Sequence, residues 1–198
     1  METLYLAYND ECDSARVNNV RKQLLGTGRY LVEGYMPFTT WSKTKLGCST
    51  DEIKRNIEEG LVRCCATLVL IGPDAAANPW IRYAIERSYK IEIPMIAFYI
   101  NELPDERGDA AEADLNPLER FAVMEGGNKV YLSDRYSTYT WSGVSDGKFD
   151  RWLDQARYAR ARPAPRQPSK AVERAAAAIG AVGSHQNITN HGLDTVNL

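Results

Sequence analysis

The chain has 198 residues, 44% of them hydrophobic and 25% charged. That balance excludes disordered and fibrous proteins and predicts an ordinary globular fold, large enough to need neither disulfides nor a metal to hold its core. The formal charge of -2 gives no electrostatic reason to expect nucleic acid or a membrane surface as partner.

Leu4 to Tyr8 reads as a short apolar strand ending in Asn9-Asp10. It carries no basic leader, and no apolar run approaches the ~20 residues of a membrane span, so the expected location is the cytoplasm. From Asp13 to Leu25, the positions Val17, Val20, Leu24 and Leu25 recur at helical spacing and Gly26 stops the run. Tyr30 to Met36 reads as a second strand, followed by a loop with Pro37, Phe38 and Trp41. Ser49 or Thr50 can cap the next helix, with Asp51 and Glu52 suiting its dipole and Ile53, Ile57, Leu61 and Val62 as its apolar stripe.

Ala66 to Ile71 is a continuous apolar run closed by Gly72-Pro73, the pattern of a strand buried on both faces. Asn78 then caps a helix that has Pro79 at its first position. Ile93 to Ile100 is a further strand, after which an acidic loop runs from Glu102 to Asp114. Val130 to Leu132 reads as the last strand and Phe149 to Tyr158 as the last helix. Five strands alternating with helices predict one α/β domain over residues 1–160, a parallel sheet with helices on both faces and right-handed crossovers. Residues 161–198 read as a Pro/Ala-rich C-terminal extension with a short helix over Ala171 to Ile179.

Cys12, Cys48, Cys64 and Cys65 lack metal-binding spacing and read as reduced, buried thiols. Both histidines, His185 and His191, lie in the extension, so the domain has no imidazole for a triad or a zinc site, and no metal is expected. Ligands of an open parallel sheet bind at the carboxyl ends of its strands. That rule gathers Tyr8-Asn9-Asp10, the Phe38 to Trp41 loop, Gly72-Pro73-Asp74 and Asn101 on one rim. Gly26-Thr27-Gly28 is a turn, since it lacks the third glycine and the context of a dinucleotide fingerprint. The arginines Arg151, Arg157, Arg160, Arg162 and Arg166 read as a solvated helix face, and Trp141 and Trp152 as packing residues.

Several segments carry a resemblance. Leu4-Tyr5-Leu6-Ala7-Tyr8, Arg16 to Arg21, Ile53 to Leu61, Thr67 to Gly72 and Asn78 to Tyr83 resemble TIR-like domains, specifically the ThsB group of bacterial Thoeris antiphage defence. Asn116-Pro117 and the stretch from Tyr131 to Trp152 fit that group better than other TIR domains. The resemblance covers about the first 160 residues and implies the flavodoxin-like TIR fold. It also implies an enzyme that takes NAD as substrate, without a further cofactor. Such enzymes break the nicotinamide glycosidic bond and join the ADP-ribose into a cyclic or conjugated messenger. The implied partners are an effector protein reached by that messenger, a phage-derived trigger and further copies of the chain. A single carboxylate suffices for this chemistry, because nicotinamide departs from a cation and needs no protonation; the carboxylate holds the ribose hydroxyls and steadies the developing oxocarbenium charge.

By the resemblance, that carboxylate stands four residues after the tryptophan that opens the helix. Here the tryptophan is Trp80 and the fourth residue on is Ala84. Glu86 lies on the opposite helix face, Asp74 in the preceding loop, and Asp10 on the same rim after another strand. Ala84 therefore marks either a substituted, inactivated enzyme or a natural non-catalytic relative. For the remaining pocket the resemblance implies Tyr8, Asn9, Asp10, Arg16, Phe38, Trp41 and Trp80. Asn9 and Asp10 would meet ribose hydroxyls, Arg16 a pyrophosphate oxygen, and Phe38 or Trp41 a ring. Arg16 has the alternative of pairing with Asp13, and Trp41 that of closing the core. The competing function is an interaction module that signals by self-association; a phosphoacceptor receiver fits poorly, since no lysine follows the last strand.

Overall fold

The structure is a computed structural model that describes residues 1–34, 49–141, 146–161 and 196–197. Its centre is a parallel sheet of β1 (Glu2–Ala7), β2 (Tyr30–Glu33), β3 (Ala66–Ile71), β4 (Met95–Tyr99) and β7 (Thr138–Thr140), in the order β2-β1-β3-β4-β7. The connecting helices are α1 (Ser14–Gly26), α2 (Thr50–Val62), α3 (Pro79–Lys90) and α5 (Asp146–Ala161). This is the parallel α/β arrangement that the alternation of strands and helices predicts, in the flavodoxin-like strand order that the resemblance implies.

Strand pleating divides the core. Leu4 and Leu6 of β1 point to the face covered by α1 and α5, where Val17, Val20, Leu24, Phe149 and Leu153 pack on Phe98 and Trp141. Tyr5 and Ala7 point to the other face, against Ile53, Ile57 and Leu61 of α2 and Ala84 of α3. All six residues of β3 are buried, as its unbroken apolar run requires. Trp141 is a core residue whose Nε1 donates to Gln23 Oε1 at 3.0 Å, and half-buried Trp152 stacks on Tyr139 at 4.0 Å. Both tryptophans pack, as expected.

Helix starts follow their caps. Ser49 and Glu52 form a reciprocal capping box at α2, and Asn78 Oδ1 accepts from Trp80 N and Ile81 N at α3, with Pro79 in the first turn. Three expectations need correction. Val62 is 74% exposed, because the α2 stripe ends at Leu61. Cys12 is exposed and Cys65 only half-buried, although Cys64 is buried; Cys48 lies outside the described residues. The fifth strand of the main sheet is Thr138–Thr140. The run around Val130 instead belongs to β6 (Asn128–Tyr131), which pairs antiparallel with β5 (Phe121–Glu125) in a second, three-stranded sheet. The third strand of that sheet is β8 (Val196–Asn197), parallel to β5. A 3-10 turn (Pro117–Arg120) and the one-turn helix α4 (Leu132–Arg135) flank the hairpin, and the assembly packs through Leu118, Phe121, Val123 and Leu132 on α3 and β4. The expected helix over Ala171 to Ile179 lies outside the described residues.

Candidate functional site

At the carboxyl edge of the sheet, β1, the end of β2, α2 and α3 enclose a crevice of about 40 Å³, lined by Tyr5, Leu6, Ala7, Tyr8, Asp10, Gly34, Ile57, Trp80, Ile81 and Ala84. That volume holds about three waters. Gly34 makes the wall possible: its φ is +77°, and a Cβ there would stand 2.6 Å from the Leu6 carbonyl oxygen. Burial, reinforced by Cys64, Tyr8 and Glu33, pushes the Tyr5 hydroxyl well above its usual range and keeps it protonated.

Four of the expected site residues meet here: Tyr8, Asp10, Trp80 and Ala84. Ala84 is only 2% exposed, yet its methyl group forms part of the crevice wall. Asp10 is the one carboxylate that lines the crevice among the described residues. Glu86 is engaged with Lys90 along the helix and does not line it, and Asp74 is exposed in the β3–α3 loop. Phe38 and Trp41 lie outside the described residues.

Asn9 has a different occupation from the one expected. Its Nδ2 donates to the Pro73 carbonyl at 3.3 Å, while its Oδ1 accepts from Glu11 N at 3.3 Å and from Asn78 Nδ2 at 3.1 Å. Asn78 Oδ1 in turn accepts from Trp80 N at 2.8 Å and Ile81 N at 3.2 Å. One chain of amides thus ties the β1–α1 loop to the β3–α3 loop and to the first turn of the helix that carries Trp80 and Ala84. The helix cap at Asn78 is readable from sequence; its second role, reaching Asn9 across 69 positions, has no local signal.

Arg16 is likewise committed, and to more than the pairing with Asp13. It is 3% exposed. Its Nε donates to the Leu103 carbonyl at 2.9 Å, Nη2 to the Asp109 carbonyl at 3.0 Å, and Nη1 to the Cys12 carbonyl at 3.3 Å and Asp13 Oδ1 at 3.5 Å. Asp105 stands 3.8 Å from Nη2. The guanidinium is therefore a peg for the long acidic loop after β4, with its donors turned to that loop and not to the crevice. Asp114 Oδ2 holds the loop's far end by accepting from Ala76 N at 2.9 Å.

Asp13 is fully buried beside Arg16, and its Oδ2 has no hydrogen-bond partner. Burial raises its carboxyl from 3.8 to about 7; Arg16 pulls it down, and Asp74 adds to the rise. The carboxylate lies against Gly72, where a Cβ would come within 2.1 Å of Oδ1. Cys12, next in the chain, has its thiol pushed up by desolvation and then by Asp13, Asp74 and Glu11, which makes it a poor nucleophile near neutral pH.

The family described as "Thoeris protein ThsB, TIR-like domain" matches residues 5–105 of this chain. A protein of Bacillus cereus (strain MSX-D12) named "Putative cyclic ADP-D-ribose synthase ThsB1" is 29% identical over 153 residues, which cover 76% of this chain and 74% of that protein. Among the described residues, no helix is long and apolar enough to cross a membrane.

Proposed function

This chain belongs to the ThsB TIR-like family of Thoeris proteins, and on that premise we propose that it is built as an NAD-cleaving enzyme of antiphage defence. The reaction breaks the bond between the ribose anomeric carbon and the nicotinamide nitrogen. The bonding pair leaves with the nitrogen, so nicotinamide departs neutral without taking a proton. Attack by water would release ADP-ribose and a proton; attack by a nitrogen or oxygen of the same substrate would give a cyclic messenger that activates an effector. The relative's name, a cyclic ADP-D-ribose synthase, favours the second outcome.

The observation that carries this reading is the shared crevice of Trp80, Ala84 and Asp10 at the carboxyl edge. Its aromatic walls, Tyr5, Tyr8 and Trp80, suit the face of the nicotinamide, with the rest of the dinucleotide lying along the rim. A glutamate at position 84 would project its carboxylate into that space. Ala84 cannot hold ribose hydroxyls or balance charge at the anomeric carbon, so the chain as written is inactive or nearly so. Asp10 is left as the one acid lining the crevice among the described residues and supports at most a residual rate.

The test is Ala84→Glu. Chromatography of NAD incubated with each form should show nicotinamide release raised about 100-fold or more by the substitution, the scale on which one transition-state electrostatic contact acts. A folded Ala84→Glu chain as silent as its parent would remove the reading. Ala84 itself favours a second one, a non-catalytic module that signals by self-association. Under that reading light scattering finds stable oligomers indifferent to NAD, and restoring the glutamate changes nothing.

A further inference from the structure

A larger cavity, about 580 Å³, opens at the opposite, amino edge of the main sheet. Three chain segments build it: Tyr89, Lys90 and Glu92 from the end of α3, Arg135 and Tyr136 from the stretch before β7, and Arg157 and Arg160 from the last turns of α5. Its wall thus carries four cations and one carboxylate. Burial raises the Tyr136 hydroxyl, and the charges of Arg135 and Arg160, from two separate elements, oppose that rise. Glu92 sits at φ +59°, a left-handed conformation that usually falls to glycine just past a helix end. From there its carboxylate reaches Arg160 at 2.8 Å.

We propose that this cavity binds a phosphorylated small molecule of nucleotide size. The volume lies in the range of small-ligand sites. Guanidiniums supply the paired donors that phosphate oxygens accept, and the half-buried Tyr89 ring offers a base or sugar a face to pack on. The cations are paired at present: Arg157 with Glu2 and Asp154, Arg160 with Glu92, Lys90 with Glu86, and Arg135 with Glu125. All but the last of these pairs involve well-exposed side chains, and exposed pairs are weak, so a phosphate can exchange for their carboxylates. Arg135, whose side chain is only 12% exposed, stays fixed on Glu125 as the base of the site. Lys90 and Arg160 suit the dipoles at the ends of α3 and α5, and Arg135 ends the one-turn helix α4; what the three helix ends share is this cavity.

This site is independent of the crevice, and its test separates the two. Isothermal titration of the full chain with ADP should show binding, weaker binding with inorganic pyrophosphate, and none with adenosine; added salt should weaken both responses. Arg160→Gln should lower ADP affinity about tenfold, by losing one charge-assisted contact. Glu92→Gln should raise it, because a like charge leaves the wall. Trp80→Ala, at the opposite edge, should leave the ADP affinity of this cavity as it is. The proposal falls if ADP does not bind, if Trp80→Ala abolishes binding while Arg160→Gln leaves it intact, or if the Arg160 and Glu92 variants shift affinity in the same direction.

Discussion

The two edges of the main sheet handle polar side chains in opposite ways. At the carboxyl edge Asn9, Asp13 and Arg16 are buried, and their amide, carboxylate and guanidinium groups are spent on holding loops together. At the amino edge the charges, Arg135 and Glu125 apart, are more open to water and are paired across the surface. Burial makes the first set rigid, because a buried donor or acceptor that loses its partner cannot turn to water. Exposure makes the second set exchangeable. The crevice therefore inherits a fixed frame, while the cavity at the other end keeps charges that a ligand can recruit.

Removing the peg tests that contrast most severely. Arg16→Ala leaves the Leu103, Asp109 and Cys12 carbonyls and the Asp13 carboxylate without their donor, and should cost about 3–5 kcal/mol in denaturant unfolding. A cost under about 1 kcal/mol would mean that the carboxyl edge is no more rigid than the amino edge. Gly72→Ala attacks the same frame from another side. The new methyl would press on the Asp13 carboxylate, which has no room to retreat, and about 1–3 kcal/mol should be lost.

Asp13 also predicts how the frame responds to pH. Its carboxyl rises from 3.8 unfolded to about 7 folded, so between those values the folded chain holds a proton that the unfolded chain releases. Stability should be highest at the acid end of this window and decline as pH climbs through about 7. Glu52 and Asp105 have carboxyls held below their ordinary values of 4.5 and 3.8, so their contributions are present above those values and fade as pH falls below them. Melting temperatures of the parent chain and Asp13→Asn should therefore diverge in slope. The variant should be flat where the parent declines, and parallel curves would place the titration elsewhere.

Much of the frame was legible beforehand because it is local. Ser49 with Glu52 and Asn78 with Pro79 announce their helices within four residues, and Ala66 to Ile71 declares a central strand by being apolar throughout. Thr138–Thr140 has no such signature. It is a three-residue edge strand with its residues exposed or half-buried, so no apolar run marks it, and the more apolar Val130 stretch takes its place in a sequence reading. Tyr8 and Asp10 could be gathered by the rule of carboxyl-end loops, and Trp80 and Ala84 only by the family resemblance; the structure brings all four to one crevice. Arg16 could not be assigned that way. Its partners lie 87 and 93 positions along the chain and are backbone carbonyls, which no side-chain pattern records.

The smallest expected effect lies at the amino edge and sharpens the comparison from its other side. The Arg160 and Glu92 side chains are 46% and 73% exposed, so either can turn to water when its partner is neutralised. Arg160→Gln should therefore change unfolding stability by no more than about 0.5 kcal/mol, within the range of ordinary surface substitutions. The same variant should weaken ADP binding markedly if this edge takes phosphate. A large loss of stability would instead assign Arg160 to the fold, joining it to the class of Arg16. A small stability change with a marked binding change separates a charge kept for a ligand from one kept for a loop, because only the former is idle in the empty protein.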